Sequence, residues 1–330
     1  IDISGTKKKH PGTVRQDDGA SIVTPGFVTG NTRGLFDFWR TSGSNKIQRT
    51  VLISSGRILA DNANGTYVNV TGAFVILPTD NVSMETFFGL LVMAFETNPS
   101  SVPLQFDGTT VTALGGTPPN ARYLRTWQNR LWGTGFPTAR DRVMGSAIDN
   151  PNDWTGGGGA ITINIDQGDQ DPVGFTSLFP PMFGRMIAGK RRSLFEITPS
   201  GTTFAVRTLI TGLGSISHNA VAIADNDIYF VSERGIHSVL MTEKFGELET
   251  GFLSYPIQNY FQDEIDFRRG ENMRSIYVAE NNSYLLAATT RGNSRNNVVL
   301  GYNFLLKEWF KFDENVSAMA KYVDHTAGLK

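Results

Sequence analysis

The sequence contains no cysteine, which excludes disulfides, cysteine-ligated zinc, iron–sulfur clusters and thiol nucleophiles. It also lacks a long apolar run. The longest stretch, Phe87 to Phe95, is far shorter than the roughly 20 residues that a membrane-spanning helix needs. The first ten residues, which include Lys7, Lys8 and Lys9, lack the apolar centre of a secretory signal. We therefore expect no membrane-spanning segment.

Neither sign of charge dominates the chain. Lysine and arginine number 30 against 31 aspartates and glutamates, which leaves a net charge of -1. Tight general binding to a phosphate backbone needs a basic field, so it is disfavoured here. With 40% hydrophobic and 18% charged residues, the chain can bury a core and is not of the disordered class.

Residues that interrupt helices are abundant, with 35 glycines and 14 prolines. This composition favours many short strands joined by turns. Residues 1–34 are rich in Gly, Thr, Ser and Pro without apolar periodicity, which indicates an N-terminal arm or connection. Residues 35–330 would then form the main domain.

Short runs of β-branched and aromatic residues between turn signals predict strands. In the first half these runs are 49–54, 67–70, 73–77, 87–95, 110–114 and 160–165. In the second half they form three meanders: 185–188, 193–197 and 203–210; 220–224, 228–232 and 236–241; then 275–279, 283–289, 298–304 and 308–312.

The apolar centres of the second strands in successive units recur at intervals of about 40 to 55 residues, at Leu131, Met186, Tyr229 and Tyr284. Antiparallel meanders of that length are typical of propeller blades, which bury their faces against each other. We predict an all-β fold, a β-propeller of roughly six to seven antiparallel blades with loop insertions. A pair of β-sandwiches is the alternative.

One segment has helical spacing. Pro256 fits a first helical turn, and Ile257, Tyr260, Phe261 and Ile265 follow at intervals typical of one helix face. We expect a short amphipathic helix over residues 255–267, inserted between blades. It would serve as a cover over a blade end or as a docking surface for another subunit.

The motifs that carry chemistry are incomplete. Residues 184–190 have the glycine and lysine spacing of a phosphate loop, but Arg191 stands where the magnesium-binding hydroxyl belongs. The acidic cluster at 166, 169 and 171 lacks the spacing of a calcium loop. The histidines at 10, 218, 237 and 325 show no metal-binding spacing. We predict no catalytic residue, no cofactor and no metal ligand, and therefore no enzyme.

Two loops stand out as candidate channel or subunit-contact loops. The first is the glycine run Gly156, Gly157, Gly158 and Gly159, which strand interiors do not tolerate and which predicts a mobile hairpin loop. The second is the basic run Lys190, Arg191 and Arg192, which we interpret as a solvated hairpin tip.

Several strings, taken in order, resemble the central region of the tailed-bacteriophage tail nozzle and tail tubular (stabilisation) proteins. The resemblance extends over about residues 105–265. The strings are Asn129-Arg130-Leu131-Trp132-Gly133, residues 141–146, Asn150-Pro151-Asn152-Asp153-Trp154, residues 169–173, 189–197, 212–217, and Ile228 to Ile236.

The resemblance implies a structural protein of the virion, located in the tail and forming part of the DNA ejection conduit. Identical subunits would form a ring, a hexamer, that contacts the portal adaptor and other tail proteins. Double-stranded DNA would pass transiently through the ring, which closes the tail before ejection. Residues 1–34 match nothing in that family. A near-neutral chain suits a conduit, because strong phosphate contacts would hold the genome in place.

Two other functions remain open. A carbohydrate-active or glycan-binding β-propeller needs only two carboxylates at a suitable separation, which sequence spacing does not define. A propeller could also serve as an interaction scaffold in a cell.

Overall fold

A computed structural model describes residues 32–42, 45–62, 66–98, 102–156, 158–165, 173–240 and 252–321. These residues form an all-β propeller of six antiparallel blades with one short helix, which confirms the predicted fold class. Blades 1, 2, 3, 4 and 6 have four strands each, and blade 5 has three. The pair of sandwiches is therefore excluded.

Every blade is a meander in which consecutive strands pair antiparallel. Blade 1 contains β1 (Thr32–Ser42), β2 (Asn45–Ser54), β3 (Arg57–Asp61) and β4 (Tyr67–Asn69). Blade 2 contains β5 (Val82–Phe87), β6 (Leu90–Phe95), β7 (Leu104–Phe106) and β8 (Val111–Ala113). Blade 3 contains β9 (Tyr123–Trp127), β10 (Arg130–Thr134), β11 (Arg142–Gly145) and β12 (Ile161–Asn164).

The second half of the chain continues the pattern. Blade 4 contains β13 (Phe175–Leu178), β14 (Met186–Lys190), β15 (Ser193–Ser200) and β16 (Thr203–Thr211). Blade 5 contains β17 (Val221–Ala224), β18 (Asp227–Ser232) and β19 (Gly235–Ser238), and blade 6 contains β20 (Arg274–Val278), β21 (Ser283–Ala288), β22 (Val298–Asn303) and β23 (Glu308–Phe312). The four residues predicted to be equivalent, Leu131, Met186, Tyr229 and Tyr284, all lie in second strands.

The first strands surround the propeller axis, since first strands of neighbouring blades contact each other. We call the face where the first strands begin the upper face, and the face where they end the lower face. Because strands alternate in direction, the turns between first and second strands lie on the lower face, as do the connections between third and fourth strands. The turns between second and third strands lie on the upper face.

Five apolar clusters join neighbouring blades from blade 1 round to blade 6. The cluster between blades 3 and 4 contains Trp132, which is fully buried, and Phe195. Alternate residues of each strand face the two neighbouring blades, so each blade contributes to two clusters. Stacking of blades, rather than a single central core, therefore buries the apolar surface.

The boundary between blades 6 and 1 differs from the other five. Two separate clusters meet there, one on blade 1 around Leu35 and Leu59 and one on blade 6 around Ala287 and Val299. Residues 313–321, which follow β23 and form no strand, lie between them. We call this segment the strap and the boundary the seam.

The predicted helix is present but shorter than expected. An α-helix covers Gln258–Glu264, with 3-10 turns at Tyr255–Ile257 and Phe267–Asn272. Phe261 is buried in the cluster between blades 5 and 6. The helix therefore packs into the apolar cluster between these two blades. Within the described ranges, no helix has the length and apolarity that crossing a membrane requires.

Two strand predictions were wrong. Residues 73–77 form no strand, and a turn at Phe88 and Gly89 divides 87–95 between β5 and β6. The first described strand, β1, starts at Thr32, inside the range predicted as the arm. Residues 1–31 lie outside the described part.

Candidate functional site

The predicted glycine loop lies on the lower face, in the connection from β11 to β12. Gly156, Gly158 and Gly159 are exposed, while Gly157 lies outside the described residues. The loop is anchored, because the guanidinium of Arg130 donates to the Gly159 carbonyl at 2.7 Å and Trp154 is buried beside it. Its role as a subunit contact stays a prediction.

The predicted basic tip requires a correction at Lys190. This residue ends β14 and is fully buried, with an ion pair to Asp141 of blade 3. Its ammonium also lies 5.5 Å from the ring centroid of Phe175 and 5.7 Å from that of Phe195. Lys190 is thus a structural link between blades 3 and 4 and not a solvated group.

Only the two arginines form the tip. Arg191 Nε donates to Glu233 Oε1 at 3.0 Å, and Arg192 is largely exposed. The tip connects β14 and β15 and so lies on the upper face, whereas the glycine loop lies on the lower face. The structure therefore does not bring the two predicted loops together.

Sequence reasoning missed a polar pocket of about 400 Å³ at the upper end of the axis. Glu96, Arg122, Tyr123, His218 and Glu271 are among the residues that line it. They come from blades far apart in sequence, and only the propeller brings them together. Burial and the nearby Glu96 carboxylate raise the pKa of Glu271, and burial raises the pKa of Tyr123 to about 12.

His218 connects four blades at the base of this pocket. Its Nδ1 accepts from the Leu178 amide in blade 4 at 3.1 Å, so the ring proton is on Nε2. Nε2 therefore donates to the Ser83 hydroxyl in blade 2, 3.0 Å away. The same hydroxyl accepts from the Leu124 amide in blade 3 at 3.0 Å. The imidazole stacks on Tyr123, with ring centroids 5.1 Å apart.

Arg274 has the corresponding role on the other side of the axis. Its guanidinium is buried and donates to the Arg33 carbonyl of blade 1 at 3.3 Å and to Asn81 Oδ1, just before blade 2, at 2.9 Å. It also donates to the carbonyls of Glu271 and Met273. Burial first, and then the charge of Arg33, lower the pKa of Arg274 to about 10.

Below the pocket the axis is narrow. Arg125 forms an ion pair with Glu85 and donates to the Leu178 carbonyl at 3.0 Å. The open space beside it, about 620 Å³, reaches from Leu35 to Ser275. Across the axis, the Nε2 of His218 beside blade 5 lies 3.0 Å from the hydroxyl of Ser83 in the opposite blade 2, which leaves no room for a DNA duplex, whose major groove alone is about 12 Å wide. DNA therefore cannot pass through the axis of one propeller.

The polar side chains at the axis hold neighbouring blades together by hydrogen bonds. Both ring nitrogens of His218 and the guanidinium of Arg274 are used in hydrogen bonds between blades. Among the described residues, no three His, Cys, Asp or Glu side chains approach closely enough to hold a metal ion. Glu96, Arg122 and Glu271 also line the pocket, where their charged groups could bind a polar ligand.

The lower face displays apolar side chains at its tips. Phe88 and Phe183 are 61% and 67% exposed, and both have positive φ, 46° and 53°. Bulky residues adopt that conformation at a cost, and two-residue hairpins prefer Asn or Gly there. Exposed apolar residues of blades 1, 3 and 6 lie at the same face: Trp39, Ile148, Leu305 and Leu306.

We expect the substitution Phe183→Asn to stabilise the isolated chain by about 0.5 to 1 kcal/mol, because asparagine suits the left-handed backbone and the lost side chain is exposed. Urea unfolding measures this. As the control, Gly184→Ala places a Cβ at φ 73°, where no neighbour lies within 4 Å, so backbone strain alone should destabilise it by about 1 kcal/mol. A loss of stability in Phe183→Asn would mean that the aromatic tip supports the fold.

Neither a protein-family model nor a curated protein sequence matches this chain. Among solved structures, one chain of a mitotic checkpoint complex is 11% identical over 95% of this chain and 91% of that chain, with a TM-score of 0.49. That score is too low to carry an argument. An extracellular domain of a putative hybrid two-component system from B. thetaiotaomicron is 7% identical, with a TM-score of 0.51.

The chain covers 36% of that bacterial chain, while 88% of this chain is matched. A second extracellular domain from B. thetaiotaomicron, of a putative one-component system, has a TM-score of 0.40. Such neighbours are propeller-type domains. At identities this low the likeness supports the fold alone, and function has to be argued from the surfaces of this chain.

Proposed function

We propose that this chain is a structural, non-enzymatic subunit of a bacteriophage tail, of the nozzle or tail tubular type. In this proposal identical copies form a ring, a hexamer, beneath the portal adaptor and in contact with other tail proteins. The ring closes the tail of the virion and later lets double-stranded DNA pass. The conduit is the hole between the copies, because the axis of each propeller is closed to DNA.

The observation that carries the proposal is the position of the resembling strings within the blades. Asn129 to Gly133 covers a hairpin turn and most of β10. Residues 189–197 cover the end of β14, the turn and the first part of β15, and Ile228 to Ile236 covers most of β18, a turn and the start of β19. They lie in three consecutive blades. The resemblance thus concerns successive propeller units, and the exposed tips offer surfaces for contacts between subunits.

Mass measurement in solution and electron microscopy of the full chain test the proposal. We expect particles with about six times the chain mass and an axial hole that is wider than a DNA duplex. Purified portal-adaptor protein of a short-tailed phage is the second arm, since a tail ring of this type binds it. A chain that remains monomeric alone and with the adaptor would refute the ring.

The axial pocket favours one other function, a glycan-binding or carbohydrate-active propeller. Two carboxylates, Glu96 and Glu271, and the guanidinium of Arg122 line the same pocket, and carboxylates with arginine are suitable partners for sugar hydroxyls. A glycan array with the full chain tests this function. Binding that disappears in Glu96→Gln and persists in Glu308→Gln, on the exposed end of β23, would favour it over the tail subunit.

A further inference from the structure

The seam is the one boundary in the described propeller where a strap separates two blades. Val316 packs on Ala287 and Val299 of blade 6, and Ala318 packs on the blade 1 cluster that contains Leu35 and Leu59. At the other five boundaries, a continuous cluster joins the neighbouring blades. The strap therefore occupies a slot between two apolar surfaces.

The strap runs in the same direction as the first strands on both sides. Ser317 lines a cavity with Arg33 and Arg274, at the upper ends of β1 and β20. Four residues later, the Lys321 ammonium lies 5.9 Å from the ring centroid of Tyr277, near the lower end of β20. The strap thus takes the place that the first strand of another blade would have.

The strap fills this place incompletely. It forms no strand, and its buried side chains, Val316 and Ala318, are small. Open space lies along it, lined by Ser317 at the upper end and by Ala318 and Met319 further down. Arg33 and Arg274 make the polar contacts across the seam, with Arg33 Nη1 donating to Asn272 Oδ1 at 2.9 Å. Blades 1 and 6 therefore stay connected at their upper ends if the strap leaves.

We propose that the seam is a binding slot for an extended segment with small apolar side chains, and that it accepts the strap of a second copy of this chain in place of its own. The identical sequence meets the same two apolar surfaces. The strap can also leave without breaking any strand pairing, because none of its described residues, 313–321, belongs to a strand. An exchange of this kind is a low-cost route to linked subunits.

This proposal rests on the ring of identical copies proposed above. It assigns one contact between neighbouring copies, the strap of one copy in the seam of the next. A head-to-tail exchange, in which each strap fills the next slot, joins unlike surfaces and closes into a ring when the rotation divides a full turn. The slot itself can be tested on single chains. The peptide-binding experiment below tests the slot, and the particle mass tests the ring. Failure of one proposal can therefore be distinguished from failure of the other.

The experiment uses the full chain with Ala318→Asp, which places a carboxylate against the blade 1 cluster and weakens the chain's own strap. The probe is a fluorescent synthetic peptide of residues 313–321. We expect a lower Tm for the variant, by about 4 °C or more, and saturable binding of the peptide that restores most of that Tm. The same peptide with Asp in place of Ala318 should not bind.

The matched control is Ala205→Asp, on the exposed outer strand β16 of blade 4. This variant retains its own strap, so we expect at least tenfold weaker peptide binding than to Ala318→Asp. If Ala318→Asp does not fold, Val316→Ala weakens the strap at its other buried side chain and takes its place. Absent binding to the weakened variant, or equal binding to the control, would overturn the slot.

Discussion

At pH 4.5 the protein is expected to be about 2 to 5 kcal/mol less stable than at pH 6.5, because two buried histidines resist protonation. The ordinary pKa of histidine is near 6.5. Burial, with Arg125 and Arg274 nearby, lowers the pKa of His218 far below that value, and burial with Arg234 lowers the pKa of His237 to about 3. Between these limits the unfolded chain binds protons that the folded chain does not.

Each histidine therefore reduces the free energy of unfolding by about 1.4 kcal/mol for every pH unit below 6.5. Glu271, whose pKa burial raises, acts in the opposite direction near pH 5 and offsets part of the effect. Urea unfolding at pH 7, 6, 5 and 4.5 measures the slope. Since domains are stable by only about 5 to 15 kcal/mol, we expect unfolding in mild acid. A flat profile over this range would refute the argument.

Substitution of His237 separates the two contributions. Its ring is buried and stacks on Phe252 with centroids 4.4 Å apart, and neither ring nitrogen has a hydrogen-bond partner in the described part of the chain. We expect His237→Phe to keep the stacking, to gain about 1 kcal/mol at pH 7 and to halve the pH slope. His218→Phe is the control, since it also halves the slope but loses two hydrogen bonds and about 1 to 3 kcal/mol.

The second large effect is expected for Trp132→Ala, with a loss of about 3 to 5 kcal/mol. The indole is fully buried between blades 3 and 4. It meets Phe204 edge-on with centroids 4.9 Å apart, and its Nε1 donates to the Trp127 carbonyl at 3.0 Å. The substitution leaves a cavity between two blades and an aromatic cluster without its centre.

Thermal and urea unfolding measure this loss. Trp39→Ala is the matched control, because that indole is 51% exposed, and we expect a change below about 1 kcal/mol there. Equal losses in the two variants would show that burial between blades does not determine the stability of this fold.

Periodicity predicted the propeller because each blade repeats a local pattern. The second strands were found at Leu131, Met186, Tyr229 and Tyr284 since their apolar centres recur along the chain. The run 73–77 has strand-forming residues but no neighbouring strand to pair with. Local composition does not report pairing, so this prediction was wrong.

The axial site was not predictable in the same way. Ser83, Leu178 and His218 are remote in sequence, and only the closed circle of blades places them together. A polar residue near the start of a first strand, as at Ser83, Arg125 and Arg274, is the signal that could have indicated the axis. Lys190 was wrongly predicted to be exposed for a related reason. Its ion pair with Asp141 on another blade compensates for the burial of its charge, and sequence alone does not reveal this partner.

The order of synthesis gives the seam a kinetic consequence. Blade 1 is synthesised before the other five blades, but the surface formed by Leu35, Leu52 and Leu59 finds its cover, Ala318, only after blade 6 has been translated. Until then this apolar sheet surface is exposed to solvent, and contacts between such distant residues form slowly. Chaperone dependence during translation is therefore concentrated on the earliest part of the propeller.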